Sequence, residues 1–232
     1  MSAPDQDRSA PVVTIDGPVG SGKGTISTRL AERLGWHLLD SGALYRLVAL
    51  RALRRDADPG DPEALAQAAA TLDCEFVSKG TRTRVYLDGE EVTGELRSEP
   101  VSQMASRVAA VPAVRTALVA RQKAFRRPPG LVADGRDMGT VIFPDAAVKL
   151  FLTASVQARA ERRYKQLKEK GESVNLPRLL QDLEARDARD TSRSVAPLAP
   201  AEGAILIDST TLGINEVVEK AYKIIIEKLS TD

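Results

Sequence analysis

Hydrophobic positions fall into short β-rich runs and helical stripes that alternate along most of the chain. Residues 12–16 (VVTID) are largely β-branched and stop at Gly17, which is how a buried strand reads. Over residues 26–34, Ile26, Leu30 and Leu34 recur every four residues, the stripe of a helix. A second apolar run, 36–39, ends in Asp40-Ser41-Gly42 and leads into a leucine- and alanine-rich helix over 43–53. Strand, helix, strand and helix in that order predict a parallel sheet. At Cys74 the pattern changes. CEFVS and TRVYLDG, separated by a glycine turn and closed by Asp88-Gly89, predict an antiparallel insertion. Two helical stretches broken near Pro112 follow. Residues 131–133 and 148–153 resume the buried strand style, and 204–208 (AILID) predict a last strand before a C-terminal helix. No internal repeat or low-complexity tract interrupts this order. The expectation is one α/β core with a lateral insertion and a charged helical hairpin.

The first strand-to-helix junction carries the clearest chemistry. Gly17-Pro18-Val19-Gly20-Ser21-Gly22-Lys23-Gly24-Thr25 follows a predicted strand and opens a predicted helix, the context that a P-loop requires. Glycines let successive backbone N–H groups curl around phosphates, the helix N-terminus adds positive potential, and Lys23 supplies a mobile cation. In the simplest form of the motif a serine or threonine follows the lysine; here Gly24 stands there and the first hydroxyl is Thr25, the candidate Mg²⁺ ligand. A P-loop alone does not separate kinases from GTPase switches, motors or nucleotide sensors. A motor would carry adjacent acids at the end of a hydrophobic strand. The corresponding segment here, 131–137 (LVADGRD), interleaves Asp134 and Asp137 with Arg136, which suits holding an anion beside a polar group.

Composition narrows the setting. The chain has 232 residues, 43% hydrophobic and 28% charged, ordinary values for one domain with insertions. No apolar run approaches the roughly 20 residues needed to cross a bilayer. Residues 1–10 are polar and read as a disordered tail, leaving 11–232 as the folded domain. Cys74 is alone, which excludes an internal disulfide, reads as a small buried hydrophobe and fits a reducing cytoplasm. Lysine plus arginine number 33 against 32 acidic residues, so no global field favours nucleic acid or an anionic membrane. A cytoplasmic monomer acting on small molecules is expected.

Local charge is another matter. Between residues 155 and 193 lie Arg159, Arg162, Arg163, Arg178, Arg186, Arg189 and Arg193, on two helical stretches separated by Gly171-Glu172-Ser173. Arg159, Arg162 and Arg163 are spaced to share one helix face, and so are Arg186, Arg189 and Arg193. Such a hairpin could close over a phosphate chain as a lid. The interspersed Glu161, Glu184, Asp187 and Asp190 leave open a solvated helix pair of mixed charge.

TIDGPVGSGKGT at 14–25, LLDSGALYR at 38–46, DGRDMGTVIFPDA at 134–146 and RDARDTSRSVAPL at 186–198 together resemble the bacterial cytidylate kinases of the nucleoside-monophosphate kinase group. The likeness covers nearly the whole chain. It implies a P-loop core with a parallel sheet flanked by helices, a monophosphate-binding insertion with antiparallel strands and helices over 74–127, and an arginine-rich lid over 155–193. It implies transfer of the γ-phosphoryl group of ATP to CMP or dCMP with Mg²⁺. By the same resemblance, Arg46 and Arg136 bind the acceptor phosphate with forked guanidinium donors, and Ser41, Arg115, Asp137 and Arg193 form the base site. Cytosine presents an amino donor beside acceptors, which Asp137 facing Arg115 would match. Ser106, Arg186 and Asp190 resemble the sugar-contacting set, and Lys23, Arg162 and Arg163 would surround the transferring group. Read without the resemblance, Ser41 could be a helix cap and Arg115 a solvated helix residue. Trp36 and His37 read as packing residues. No histidine base is needed, because a phosphate acceptor is already an anionic nucleophile.

Overall fold

The computed structural model describes residues 10–58, 60–79, 82–169 and 171–230. The tail expected over 1–10 lies outside the described residues except for Ala10, which is buried and whose carbonyl accepts from Arg126 Nε at 2.8 Å. The expected glycine turn at residue 80 also lies outside them. The chain forms two compact units, Met1–Leu39 with Phe125–Asp232, and Asp40–Ala124.

The first unit is organised by a five-stranded sheet in the order β2-β6-β1-β7-β8. Its strands are β1 (Val12–Asp16), β2 (His37–Asp40), β6 (Leu131–Gly135), β7 (Val148–Thr153) and β8 (Ile205–Asp208). β1 runs parallel to both β6 and β7, and β7 runs parallel to β8, so the expected parallel sheet is present. β1 and β6 are buried at every position, as central parallel strands covered on both faces must be. Helix α1 (Lys23–Leu34) and the C-terminal helix α8 (Ile214–Leu229) cover the sheet. Ile26, Leu30 and Ala31 of α1 and Val217, Val218, Ala221 and Ile225 of α8 join Val13, Ile15, Val132, Leu150 and Ile207 in one core. Trp36 packs at the rim of this core and lies so close to Gly130 that a β-carbon there would fall 2.4 Å from the ring. His37 Nε2 lies 3.0 Å from the Pro128 carbonyl. The charged hairpin is helix α6 (Val156–Glu169) followed by α7 (Leu176–Thr191), packed against each other.

The second unit begins at Asp40 and takes in α2 (Ser41–Arg54) and α3 (Pro62–Ala70) along with the segment from Cys74. That segment contains the expected antiparallel strands β3 (Cys74–Lys79) and β4 (Arg82–Leu87), a short β5 (Glu90–Glu91), and helices α4 (Glu99–Val108) and α5 (Pro112–Lys123). α2 packs on α4, and α3 packs on α5. The hydrophobic pattern does not announce α3, whose PEALAQAAA run has only one leucine. Its start signal is nonetheless local: the Asp61 carboxylate caps the N–H groups of Glu63 and Ala64, each at 3.0 Å, and Pro62 occupies the first turn. Cys74 is half-buried rather than a core residue, and its Sγ lies 3.3 Å from Arg121 Nη1.

Gly17 marks where β1 must leave the sheet. Its φ is 148°, and a β-carbon there would lie 2.0 Å from the Leu152 carbonyl oxygen of β7, so backbone rather than a flexible side chain would have to move. Gly17→Ala is expected to lower stability by more than ~2 kcal/mol, read by denaturant unfolding. A loss below ~0.5 kcal/mol would show that the β1–β7 edge yields easily.

Candidate active site

The phosphate loop is shaped by its backbone. Gly22, with φ 94°, is the N-cap of α1; it offers no side chain to the first N–H groups, and no acidic residue stands in the first turn. The orphan N–H groups and the positive helix end are therefore left for an anion. Ser21 Oγ donates to the Pro18 carbonyl at 3.0 Å, and Lys23 Nζ donates to the same oxygen at 2.8 Å. Lys23 is only 6% exposed. Burial first, then the Arg136 guanidinium, push its pKa from 10.5 down to about 7, with Arg186 adding to the effect and Asp134 and Asp16 opposing it. A buried ammonium beside two guanidinium groups makes a region short of negative charge.

Asp16, the last residue of β1, was not singled out in the sequence. It is 3% exposed, and its two oxygens accept from Met138 N–H at 2.9 Å and Gly139 N–H at 2.8 Å. Burial outweighs those hydrogen bonds and raises its pKa from 3.8 to about 7. The signal that could have found it is an acid closing an otherwise buried run, which has to meet partners.

Beyond β6, the Arg136 side chain donates through Nε to Asp190 at 2.9 Å, and Arg193 also donates to Asp190, which is 1% exposed. Burial alone would raise the Asp190 pKa, but Arg136, Arg193 and Arg186 more than compensate and hold it below the usual carboxylate range. Four predicted residues from the ends of β6 and α7 are thus brought together. Asp137 is 2% exposed and adds negative potential near Asp16. Arg189, grouped with Arg186 and Arg193 by spacing, is instead exposed on α7, and Arg193 lies past the end of that helix at Thr191.

The arginines of α6 divide by partner. Arg159, grouped by spacing with Arg162 and Arg163, is 4% exposed; it donates to the Ala154 and Val19 carbonyls at 3.0 and 3.1 Å and pairs with both oxygens of Asp187. Arg162 donates to Ser209 Oγ at 3.2 Å and to the Ser209 and Thr210 carbonyls. Ser209 in turn donates to the Ser21 carbonyl of the phosphate loop at 3.2 Å. Arg163 and Arg162 are half-buried, and Arg178 is exposed.

In the second unit, Asp40 rather than Ser41 caps α2, accepting from Ala43 N–H at 3.0 Å. Ser41 is thereby released from the capping alternative and is 4% exposed. The other Asp40 oxygen holds Arg46 at 2.7 Å, with the guanidinium folded over Gly42, where a β-carbon would fall 3.0 Å from Nη1. Arg115 is not a solvated helix residue: it is 6% exposed, donates to the Ala109 carbonyl at 3.0 Å and lies 5.6 Å from the Tyr45 ring centre. Ser106 is buried on α4.

Comparison with known proteins decides what these parts belong to. The sequence profile of the cytidylate kinases matches residues 13–227. The chain belongs to the cytidylate kinase family. A cytidylate kinase of Enterobacter sp. (strain 638) is 56% identical over 222 residues, 96% of this chain and 98% of that protein. Cytidylate kinases of Klebsiella pneumoniae (strain 342) and Escherichia coli (strain K12 / DH10B) are each 56% identical over 95% of this chain and 97% of their own. Kinases of this family use ATP. Among the described residues no three His, Cys, Asp or Glu side chains gather as a metal cage. Thr25 is exposed on the first turn of α1, and a β-carbon at Gly24 would fall 3.5 Å from an Asp134 oxygen.

Both shifted pKa values make the free protein sensitive to pH near neutrality. Between about 7 and 10.5 the unfolded chain keeps a Lys23 proton that the folded one lacks, so this group adds stability as pH rises through that window. Between 3.8 and about 7 the folded chain holds an Asp16 proton that the unfolded one has lost, so stability falls as pH rises there. A triphosphate against Lys23 favours the ammonium. ATP binding at pH 8 is therefore expected to take up about one proton, seen as a binding heat that changes between two buffers of unlike ionisation enthalpy. Equal heats would mean that Lys23 is already charged in the free protein.

Proposed function

We propose that the protein transfers the γ-phosphoryl group of ATP directly to CMP or dCMP, giving ADP and CDP or dCDP. The observation that carries this reading is full-length identity of 56% to cytidylate kinases. The buried Lys23 in a preformed phosphate loop supports it.

Gly17 to Thr25 hold the ATP phosphates, with Lys23 exchanging the Pro18 carbonyl for a phosphate oxygen. Arg162 and Arg163 join Lys23 in following charge from the transferring group onto the leaving ADP. To do so, Arg162 gives up the Ser209 and Thr210 carbonyls, and residues 155–193 act as the lid that excludes water. Arg46 and Arg136 fork onto the acceptor phosphate. Their carboxylate partners, Asp40 and Asp190, fix the guanidinium groups and so reduce the ordering needed when the phosphate binds. Asp137, Arg115, Ser41 and Arg193 read the base, and Ser106, Arg186 and Asp190 contact the sugar. Residues 74–127 form the monophosphate-binding insertion of one P-loop kinase domain, which works as a cytoplasmic monomer. Thr25, with Asp134 close to Gly24, would hold Mg²⁺, which would supply charge neutralisation for the transfer. The acceptor phosphate is the nucleophile, so no side chain needs to remove a proton.

The reading is tested by ADP release over CMP, dCMP, UMP and AMP with ATP and Mg²⁺; preference for UMP or AMP would replace it. Base reading is tested by Asp137→Ala. Removing a charged hydrogen bond to the cytosine amino group should cost about 1.5 to 3 kcal/mol and lower the CMP-to-UMP ratio of kcat/KM by roughly 10- to 150-fold. An unchanged ratio in the folded variant would move Asp137 from base to sugar or metal.

A further inference from the structure

We propose that Asp16 is a positioning residue for acceptor choice: it caps the turn that follows Asp137 and thereby fixes how Asp137 is presented to the acceptor base. This rests on the proposed role of Asp137.

β1 and β6 run in register, with Asp16 opposite Gly135, so both strands leave the sheet at the same edge. From there β1 enters the phosphate loop and β6 enters Arg136-Asp137. A single π-helical turn, Met138–Ile142, comes next. The Val141 and Ile142 N–H groups return to the Asp137 carbonyl at 2.9 and 3.2 Å, and Phe143 N–H returns to Met138 at 2.7 Å. The leading N–H groups of such a turn, those of Met138 and Gly139, need acceptors from outside its backbone. Both residues are buried, so water is a poor substitute.

An aspartate at the cap position ordinarily supplies that acceptor itself. Asp137 occupies the position, with φ −143° and ψ 23°, yet its side chain makes no capping bond. Asp16 does so from 122 and 123 residues away, one oxygen to each N–H. Two bonds, one to each oxygen of a residue fixed at a buried strand end, hold the turn from outside its own segment. They also leave the Asp137 side chain oriented by something other than its own turn. Gly139 makes the approach possible: a β-carbon there would lie 2.9 Å from Thr14 Oγ1 and 3.4 Å from an Asp16 oxygen. The strand end that opens the donor loop at Gly17 therefore also holds the segment carrying Arg136 and Asp137.

Asp16 touches no substrate in this account, so the test reads acceptor choice rather than activity alone. Asp16→Asn keeps the shape, but its amide nitrogen must face one of the two N–H groups. Measured with saturating ATP, it is expected to lower the CMP-to-UMP ratio of kcat/KM at least ~10-fold while the KM for ATP changes less than ~3-fold. In an Asp137→Ala background the same substitution should leave the ratio unmoved, because the two act as a unit. An equal fall in both backgrounds would overturn the proposal. So would an unchanged ratio in Asp16→Asn when Asp137→Ala changes it, and Asp16 would then be structural only. If Asp137→Ala itself leaves the ratio unchanged, the base-reading role fails and the proposal falls with it. Should Asp16→Asn not unfold cooperatively, Gly139→Ala presses on the same contact from the turn side. It should shrink the ratio likewise, and an unchanged ratio in a folded Gly139→Ala protein would overturn the proposal.

Discussion

A buried lysine short of counter-charge is the constraint around which the first unit is arranged. Lys23 sits at the start of α1, desolvated, with its ammonium against a backbone carbonyl and with Arg136 and Arg186 adding repulsion. Burying such a charge costs several kcal/mol unless partners compensate, and here Asp16 and Asp134 do so only in part. An anion would complete that compensation, and the uncapped helix end above Gly22 suits the same guest. Preorganisation of this kind is what phosphoryl transfer asks of a protein, since the chemistry consists mainly of placing positive charge where negative charge develops.

Several carboxylates near this cluster have other partners as well. Asp16 is turned toward backbone N–H groups, Asp190 toward Arg136 and Arg193, and Asp187 toward Arg159. The last pair anchors α6 to α7 and, through the Val19 carbonyl, to the phosphate loop. The second unit repeats the device on a smaller scale, with Asp40 capping α2 through one oxygen and holding Arg46 through the other. Guanidinium groups kept in place by carboxylates meet an incoming phosphate with less entropy to lose.

What could be seen in the sequence follows from range. The phosphate loop, both sheets and the hairpin are announced by neighbours within a dozen residues: glycines, β-branched runs and helical stripes. Spacing groups Arg159 with Arg162 and Arg163, whereas its contacts are set by Asp187, 28 residues away. Ser41 and Asp40 are both good caps, and only geometry shows which one acts. Asp16 sits inside TIDGPVGSGKGT, but nothing there shows its role, since its partners are backbone atoms more than a hundred residues on. Helix α3 was hidden by alanines too weakly hydrophobic to form a stripe, although its Asp61-Pro62 start was there to be read.

The most direct measurement of the central claim compares wild type with Lys23→Met in equilibrium unfolding at pH 7, with and without ATP. Methionine keeps the length and removes the buried ammonium, so the variant should be at least as stable as wild type without nucleotide. With ATP at a hundred times its Kd, wild type should gain about 2.7 kcal/mol and the variant, at the same concentration, far less. A variant that is less stable without nucleotide, yet stabilised by ATP as much as wild type, would show that Lys23 is a structural residue and that the buried positive charge is not there for phosphate.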